Sequence, residues 1–395
     1  MDQPRTFRRR VLYIPGYDPI PPRRYRELYR REGADQAAIS GYDLAMAQRG
    51  DRNGFGWGAT GDIDGPAQVE FEVLVWDDIV QSSMSRGIAA TYGQLFRTAW
   101  AYIGSGALWR MMQLRRGPVL AALYPIAVLL MQALTALLAA GLAGWLVALL
   151  LPLPVALILA AAVFWAGLWL WRRVDGRIFA YYLMHDYAFT AQSGGAYPPA
   201  LERRIAAFTD RLAGVLADDW DEVLLIGHSS GAYLAVSVMA DLLRSGRGGA
   251  PGRLSLMTLG HVVPMAAFLP RAERLRRDLA DLSVQPDIFW LDVTAPGDAC
   301  SFGLCDPVAT AGVAPPDQRW PLVISAAFTN TLSPERLRTL RGRWFRLHFQ
   351  YLCAFDRPGD YDYFAITAGP MTLAQRFAGR RPSPGRITTP AGRRR

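Results

Sequence analysis

The pentapeptide Gly227-His228-Ser229-Ser230-Gly231 places a serine hydroxyl between two glycines, a spacing that suits nucleophilic chemistry. A short apolar run, Val223 to Ile226, precedes it, and a segment rich in Ala, Val and Leu, Ala232 to Leu243, follows it. This pattern predicts a buried strand, a sharp turn that carries Ser229, and a helix. Glycine on either side of the turn lets strand and helix approach each other, so that the hydroxyl is lifted into a cleft.

Other strands and helices alternate along the chain, as short apolar runs and amphipathic runs indicate. The predicted strands are Val11–Ile14, Val69–Trp76, Leu254–Leu259, Ile288–Val293 and Trp344–Phe349. The predicted helices are 22–48, Ile88–Met112, Leu201–Leu216 and Arg271–Leu282, and the glycine-rich stretch Gly50–Gly65 is typical of a loop. Such alternation predicts an α/β fold with a mostly parallel sheet flanked by helices.

In this order the segments resemble the α/β-hydrolase superfamily, and its lipase and esterase branch in particular. Leu12 to Tyr17 is similar to the superfamily's strand and oxyanion loop, and Val69 to Trp76 to its next strand. Gly227 to Gly231 is similar to its nucleophile elbow. The resemblance implies an oxyanion hole formed by the backbone N–H groups of Tyr17 and Ser230.

The resemblance further implies that the serine has a base and an acid downstream, in the order Ser, acid, His. His348, at the end of the predicted strand Trp344–Phe349, has candidate acids between itself and Ser229. His261 is the weaker alternative because it precedes every plausible acid.

The favoured acid is Asp298, which lies in the loop that follows the predicted strand Ile288–Val293. Asp292, within that strand, competes with it, and Asp306 is a weaker candidate. The predicted catalytic residues are therefore Ser229, Asp298 and His348. No pattern in the sequence indicates a metal site or an organic cofactor.

A long apolar segment interrupts the hydrolase-like pattern, since Gly117 to Trp171 contains no charged residue. Leu151 to Pro154 divides it into two stretches, Val119–Leu150 and Val155–Trp171, which as helices would extend about 48 and 25 Å. A hydrocarbon core is about 30 Å thick, so the segment predicts a two-helix membrane hairpin. Arginines flank its outer ends, which predicts that the catalytic domain lies on the cytoplasmic side. The exclusive use of Arg suggests a bacterial source, so the expected location is a bacterial inner membrane.

The charge supports a membrane surface as partner. The 395 residues carry 43 basic and 34 acidic side chains, a net charge of +9, and every basic residue is Arg. No nucleic-acid recognition motif accompanies this charge, so nucleic acid is not expected as a partner. The three cysteines form no metal-type pair and are expected to be reduced thiols.

These observations divide the chain into four parts. Residues 1–81 and 196–378 form the two parts of the hydrolase domain. Residues 82–195 form an insertion with an interfacial helix and the hairpin, whose hydrophobic part is 118–171. Residues 379–395, rich in Arg, Pro and Gly, are expected to be a disordered basic tail.

The sequence thus predicts a membrane-anchored serine hydrolase that cleaves carboxylic esters through an acyl-enzyme on Ser229. The hairpin suggests a lipophilic ester, or a lipid, that is taken from the bilayer. Two alternatives stay open: an acyltransferase that uses the same three residues, and a catalytically inert membrane scaffold with a hydrolase fold.

Overall fold

One sheet organises the computed structural model, which describes residues 5–50, 53–84 and 87–392. Its eight strands have the spatial order β2-β3-β4-β1-β5-β6-β7-β8. All neighbouring pairs from β4 to β8 are parallel, whereas β2 and β3 are antiparallel additions at one edge. The strands are β1 (Phe7–Ile14), β2 (Asp43–Ala47), β3 (Phe55–Asp62), β4 (Pro66–Val73), β5 (Glu222–His228), β6 (Leu254–Leu259), β7 (Ile288–Thr294) and β8 (Leu322–Ser325).

Helices cover both faces of this sheet. From the N-terminus to the end of the insertion they are α1 (Arg23–Ser40), α2 (Asp77–Ser83), α3 (Ile88–Gly104), α4 (Ala107–Met112), α5 (Arg116–Ala148), α6 (Leu153–Arg173), α7 (Asp175–Ile178) and α8 (Ala180–Ala191). The later ones are α9 (Pro199–Leu216), α10 (Ser230–Arg244), α11 (Val263–Ala267), α12 (Glu273–Ser283), α13 (Pro307–Ala311), α14 (Phe328–Thr331), α15 (Pro334–Leu340), α16 (Trp344–His348), α17 (Tyr363–Ala368) and α18 (Leu373–Arg376).

Two apolar cores lie on opposite sides of the sheet. One joins alternate strand residues such as Leu12 and Leu225 to α9, α10, α12 and the helices of the insertion. The other joins the intervening residues, such as Val11 and Leu224, to α1 and α17. Because side chains alternate across a strand, a sheet buried on both faces needs near-continuous apolar strands. The predicted α/β class with a mostly parallel sheet is confirmed.

The central strand β1 carries two buried arginines. The Arg9 guanidinium lies 2.6 Å from a carboxylate oxygen of Glu222 on β5 and donates to the carbonyl oxygens of Thr367 and Gly369. Glu222 also accepts from Ser255 on β6. Charge-assisted hydrogen bonds thus join three strands to the segment after α17, and they compensate for the desolvation of both ions.

The apolar segment forms the expected pair of helices, α5 and α6, which are long and apolar enough to span a membrane. The first part of α5 packs on other helices of the insertion. Tyr92 on α3 donates to the Leu129 carbonyl oxygen, and Tyr124 on α5 donates to the Ile178 carbonyl oxygen. Beyond it, both helices expose large apolar side chains. Residues 130–148 and 153–171 each extend about 28 Å, close to the thickness of a hydrocarbon core.

The segment 22–48, which is expected to be mostly helical, forms α1 as far as Ser40, and β2 follows. The predicted loop over Gly50–Gly65 is wrong, because this stretch contains β3. Trp57 on β3 is paired directly with Phe71 on β4, and the two rings stack with centroids 4.8 Å apart. This cross-strand aromatic contact favours a strand where glycine content alone indicates a loop.

The predicted strand Trp344–Phe349 is a helix, α16, followed by a 3-10 turn over Gln350–Leu352. A six-residue run is too short for periodicity to separate helix from strand. The predicted helix Ile88–Met112 is likewise divided into α3 and α4, at Gly106 with a φ of 73°.

Part of the segment 379–395, which is expected to be a disordered basic tail, contacts the loop after β7. Ile387 bridges to Cys305, and its backbone N–H donates to the Leu304 carbonyl oxygen at 2.8 Å. Main-chain hydrogen bonds to the loop after β7 therefore hold this segment despite its composition.

We predict that Arg9→Met lowers the free energy of unfolding by about 3–5 kcal/mol, because it leaves the Glu222 carboxylate buried and unpaired. Urea denaturation of the detergent-solubilised protein measures this change. Arg30→Met is the matched control, since the Arg30–Glu27 pair is exposed and its loss should cost less than about 1 kcal/mol. Equal effects of the two substitutions would contradict a structural role for the buried pair.

Candidate active site

Ser229 is the single residue between β5 and α10. Its φ of 58° and ψ of −121° lie in a region that residues other than glycine rarely adopt, at a cost of about 1–3 kcal/mol. A Cβ added at Gly231 would lie 2.2 Å from the Ile14 carbonyl oxygen, and one at Gly227 would lie 2.4 Å from the Gly231 carbonyl oxygen. Both glycines are therefore required for the close approach of β1, β5 and α10 at this turn.

The structure brings together two of the predicted residues, Asp298 and His348. Nδ1 of His348 lies 2.7 Å from Oδ2 of Asp298, and both side chains are buried. Asp298 follows β7, and His348 ends α16. The contact joins residues that are 50 positions apart in the sequence. It orients the imidazole and leaves Nε2 of His348 for another partner.

The environment of Asp298 favours its ionised form. Burial by itself would raise the pKa of this carboxyl group. The nearby His348 ring and hydrogen bonds from His348, the Cys300 backbone N–H and Ser301 outweigh burial and lower the pKa below its ordinary value. An ionised acid that holds the imidazole can stabilise an imidazolium cation.

Tyr351 is a further member of this group that the sequence analysis missed. Its hydroxyl donates to Oδ2 of Asp298 at 3.0 Å and accepts from the Ala295 backbone N–H at 3.0 Å. Residues three apart lie on one face of a helix but on opposite faces of a strand. Because a strand was predicted over Trp344–Phe349, His348 and Tyr351 were not expected to hydrogen-bond to the same carboxylate. A helical interpretation of this segment would have been the signal.

His348 lies beside Ser229, although their side chains are not hydrogen-bonded. The Ser229 N–H donates to the Leu259 carbonyl oxygen, and a Cβ added at the next residue, Gly260, would lie 3.1 Å from Cε1 of His348. Nε2 of His348 is buried and has no hydrogen-bond partner within the described residues. Catalytic hydrogen bonds are often long when no substrate is bound. Nε2 of His348 is therefore available to act as a general base.

The two predicted oxyanion residues lie in segments that both adjoin the serine. Ser230 is the first residue of α10, where backbone N–H groups lack an intrahelical acceptor. A Cβ added at Gly16 would lie 3.3 Å from the Ser229 hydroxyl oxygen, so the peptide that leads to Tyr17 runs next to the nucleophile. The carbonyl oxygen of Tyr17 accepts a hydrogen bond from Tyr182 on α8, which fixes this loop against the insertion.

The alternative histidine and acids lie in other surroundings. Nε2 of His261 lies 2.9 Å from the Cys305 carbonyl oxygen and 3.7 Å from Asp292, and burial lowers its pKa to about 4. Asp292 accepts from Thr258, and burial raises its pKa. Asp306 caps α13 by accepting from two of its backbone N–H groups. Each has a structural partner and stands apart from the Asp298–His348 contact.

Ligand atoms of Asp298, Cys300 and His348 lie within 4.8 Å of one another. The donor set does not suit a metal ion. The Asp298 carboxylate already accepts from the Tyr351 hydroxyl and from the Cys300 backbone N–H. The carboxylate and Nδ1 are also already hydrogen-bonded to each other.

Known proteins provide no further guide to this arrangement. Comparisons of the chain with protein-family models, with curated proteins and with solved structures find no match. The chemistry of the site is therefore argued from its own residues.

Proposed function

We propose that this protein is a membrane-anchored serine hydrolase of the α/β-hydrolase type, which cleaves carboxylic esters through an acyl-enzyme on Ser229. The observation that carries the proposal is the strained turn at Ser229 next to an imidazole that a buried, ionised carboxylate orients. A serine hydroxyl needs a base in contact and an acid that orients the base, and these residue types supply both.

In the first half of the reaction, the Ser229 hydroxyl oxygen attacks the ester carbonyl carbon while Nε2 of His348 accepts its proton. The carbonyl oxygen becomes an oxyanion, to which the N–H groups of Tyr17 and Ser230 donate. Asp298 stabilises the imidazolium. The carbon–oxygen bond to the alcohol then breaks, and the imidazolium returns the proton to the departing alcohol oxygen.

In the second half, water attacks the acyl carbon and gives a proton to Nε2 of His348. The second tetrahedral intermediate collapses with release of the carboxylic acid, and the proton returns to the Ser229 oxygen. Water and ester are the only reactants, and no cofactor enters the scheme.

The hairpin argues for a lipophilic ester. Besides α5 and α6, the insertion exposes further large apolar side chains on α3 and α4, namely Phe96, Trp100, Ile103 and Trp109. Aromatic side chains are favoured at the boundary of a bilayer. Arg172 and Arg173 end α6, which suits the cytoplasmic side of a bacterial inner membrane.

A small apolar crevice lies between helices of the insertion. It is lined by side chains of α3, α4, α5 and α8, among them Tyr102, Met111, Ile126, Met184 and Tyr187. The same helices lead toward the exposed part of the hairpin. An acyl chain that moves from the bilayer along apolar side chains is not exposed to water. This saves a transfer free energy of about 0.8 kcal/mol for each methylene group.

We predict that Ser229→Ala and His348→Ala each lower kcat by about 10⁴–10⁶ and Asp298→Asn by about 10⁴, since the three residues act as a unit. Hydrolysis of a short soluble ester by the detergent-solubilised protein measures the loss, and a fluorophosphonate should label wild type at Ser229. Absence of label and of turnover would favour an inert scaffold. Retained activity in His348→Ala, with loss in a His261 variant, would contradict the assigned base.

We predict that Tyr351→Phe lowers kcat about tenfold, equivalent to about 1.4 kcal/mol, with little change in KM. The substitution removes one hydrogen bond from Asp298 but leaves the aromatic packing in place. Tyr361→Phe is the matched control, because the Tyr361 hydroxyl donates to the Tyr351 carbonyl oxygen and does not contact Asp298. A change in KM alone would contradict a positioning role for Tyr351.

The role of the hairpin can be tested by a deletion that the structure suggests. A Cβ added at Gly167 on α6 would lie 3.1 Å from the Ala136 Cβ on α5, so a short Gly/Ser linker can replace residues 137–166. We expect the shortened protein to hydrolyse short soluble esters but to lose most activity on long-chain esters in vesicles. The loss should persist after fusion to an unrelated membrane anchor. Full recovery with that anchor would reduce the hairpin to a tether.

A further inference from the structure

Helix α8 carries an acidic residue, Asp186, that the reaction scheme does not use. Oδ1 of Asp186 is buried and makes no hydrogen bond with any residue that the structure describes. A buried polar atom without a partner costs about 1–3 kcal/mol, and more when it is charged. Such a cost is typical of a functional site, where stability is given up for binding or catalysis.

Helix α8 packs against the loop that passes Ser229. The rings of Tyr182 and Phe189, four residues before Asp186 and three after it, both contact the Tyr17 ring, with centroids 6.2 and 5.6 Å away. Gly16, the residue before Tyr17, lies against the Ser229 side chain. Asp186 therefore lies on the face of α8 that is turned to this loop, and its carboxyl group interacts electrostatically with His348.

Helical spacing on α8 supports this placement. Met184 and Tyr187, three residues apart, line the apolar crevice. Tyr182 and Asp186, four residues apart, share a different face, and Tyr182 donates to the Tyr17 carbonyl oxygen. One face of α8 is therefore turned to the crevice and another to the loop after β1.

Nearby hydroxyl groups are already engaged. The Tyr17 hydroxyl is hydrogen-bonded to Ser83 at 2.7 Å, and the Tyr102 hydroxyl donates to the Met265 carbonyl oxygen at 3.2 Å. Burial raises the pKa of Asp186 to about 7, against a lowering by His348. Oδ1 of Asp186 is therefore left as an acceptor that no described residue occupies.

We propose that Asp186 accepts a hydrogen bond from a free hydroxyl group on the alcohol part of the ester, so that the substrate class is a partial ester of a polyol. This inference rests on the proposed hydrolase function. The hydroxyl-bearing alcohol part lies on the Asp186 face of α8, which is the face that contacts the Tyr17 loop.

A neutral hydroxyl suits this position better than an ammonium group. Attack by Ser229 converts His348 into a cation, and Asp186 is close enough to interact with it. A permanently charged ammonium between them would repel the imidazolium and oppose the reaction. A hydroxyl satisfies the orphaned oxygen without that repulsion.

The test compares three butyrate esters: glycerol 1-monobutyrate, propyl butyrate, which has the same carbon skeleton without the hydroxyls, and choline butyrate. The measured quantity is the kcat/KM ratio of the glycerol ester to the propyl ester. We expect Asp186→Leu to lower this ratio at least about tenfold, because the hydroxyl loses its acceptor. Asp186→Asn should keep most of the preference, since an amide oxygen still accepts.

Asp175→Asn is the matched control and should leave the ratio unchanged. Asp175 is another carboxylate of the insertion, and it accepts from the Tyr181 backbone N–H, an interaction that the amide preserves. Both Asp186 variants should have a stability close to that of wild type, because Oδ1 makes no hydrogen bond within the part of the chain that the structure describes. Strong destabilisation in both would reveal a structural role and overturn the inference.

Three other results would also overturn it. An unchanged ratio in an Asp186→Leu protein that still hydrolyses propyl butyrate and labels at Ser229 refutes the inference and leaves the hydrolase proposal intact. If Asp186→Leu lowered kcat/KM for choline butyrate but not for the other two esters, Asp186 would be assigned to ammonium recognition. A wild-type protein that neither labels nor hydrolyses any of the esters would refute both proposals.

Discussion

The backbone conformation of Ser229 is the constraint on which the rest of the site depends. A residue with a positive φ between a strand and a helix is stable only where the surrounding structure holds it. Here the glycine at 231 lets the backbone at Ile14 approach, and the Ser229 N–H bonds to the end of β6. Three neighbouring parallel strands thus fix one hydroxyl group in front of their carboxyl ends.

The remaining groups of the site converge because the same edge of the sheet collects them. In parallel sheets the loops after the strands share one edge, and ligands bind there. Asp298 follows β7, Tyr17 follows β1, and His348 lies beyond β8. Tyr351 adds rigidity to the Asp298 carboxylate, so the imidazole is oriented by a buried network in which each oxygen has a defined donor.

The insertion does more than add two apolar helices to this sheet. It lies in the chain between β4 and β5, and its last helix, α8, packs against the loop after β1. The same helix borders the apolar crevice and carries Asp186, whose Oδ1 makes no hydrogen bond with any described residue. One helix thus contacts both the apolar helices of the insertion and the loop beside Ser229.

Local pattern in the sequence was enough for the α/β class, for the turn at Ser229, for the strand Leu254–Leu259 with both of its ends, and for the apolar hairpin. These features follow from periodicity and turn chemistry within a few residues. Tertiary structure alone decided that Trp344 to His348 is helical, that Tyr351 reaches Asp298, and that Tyr182 contacts the Tyr17 loop. Each of these depends on contacts between residues far apart in the chain, which no short window of sequence contains.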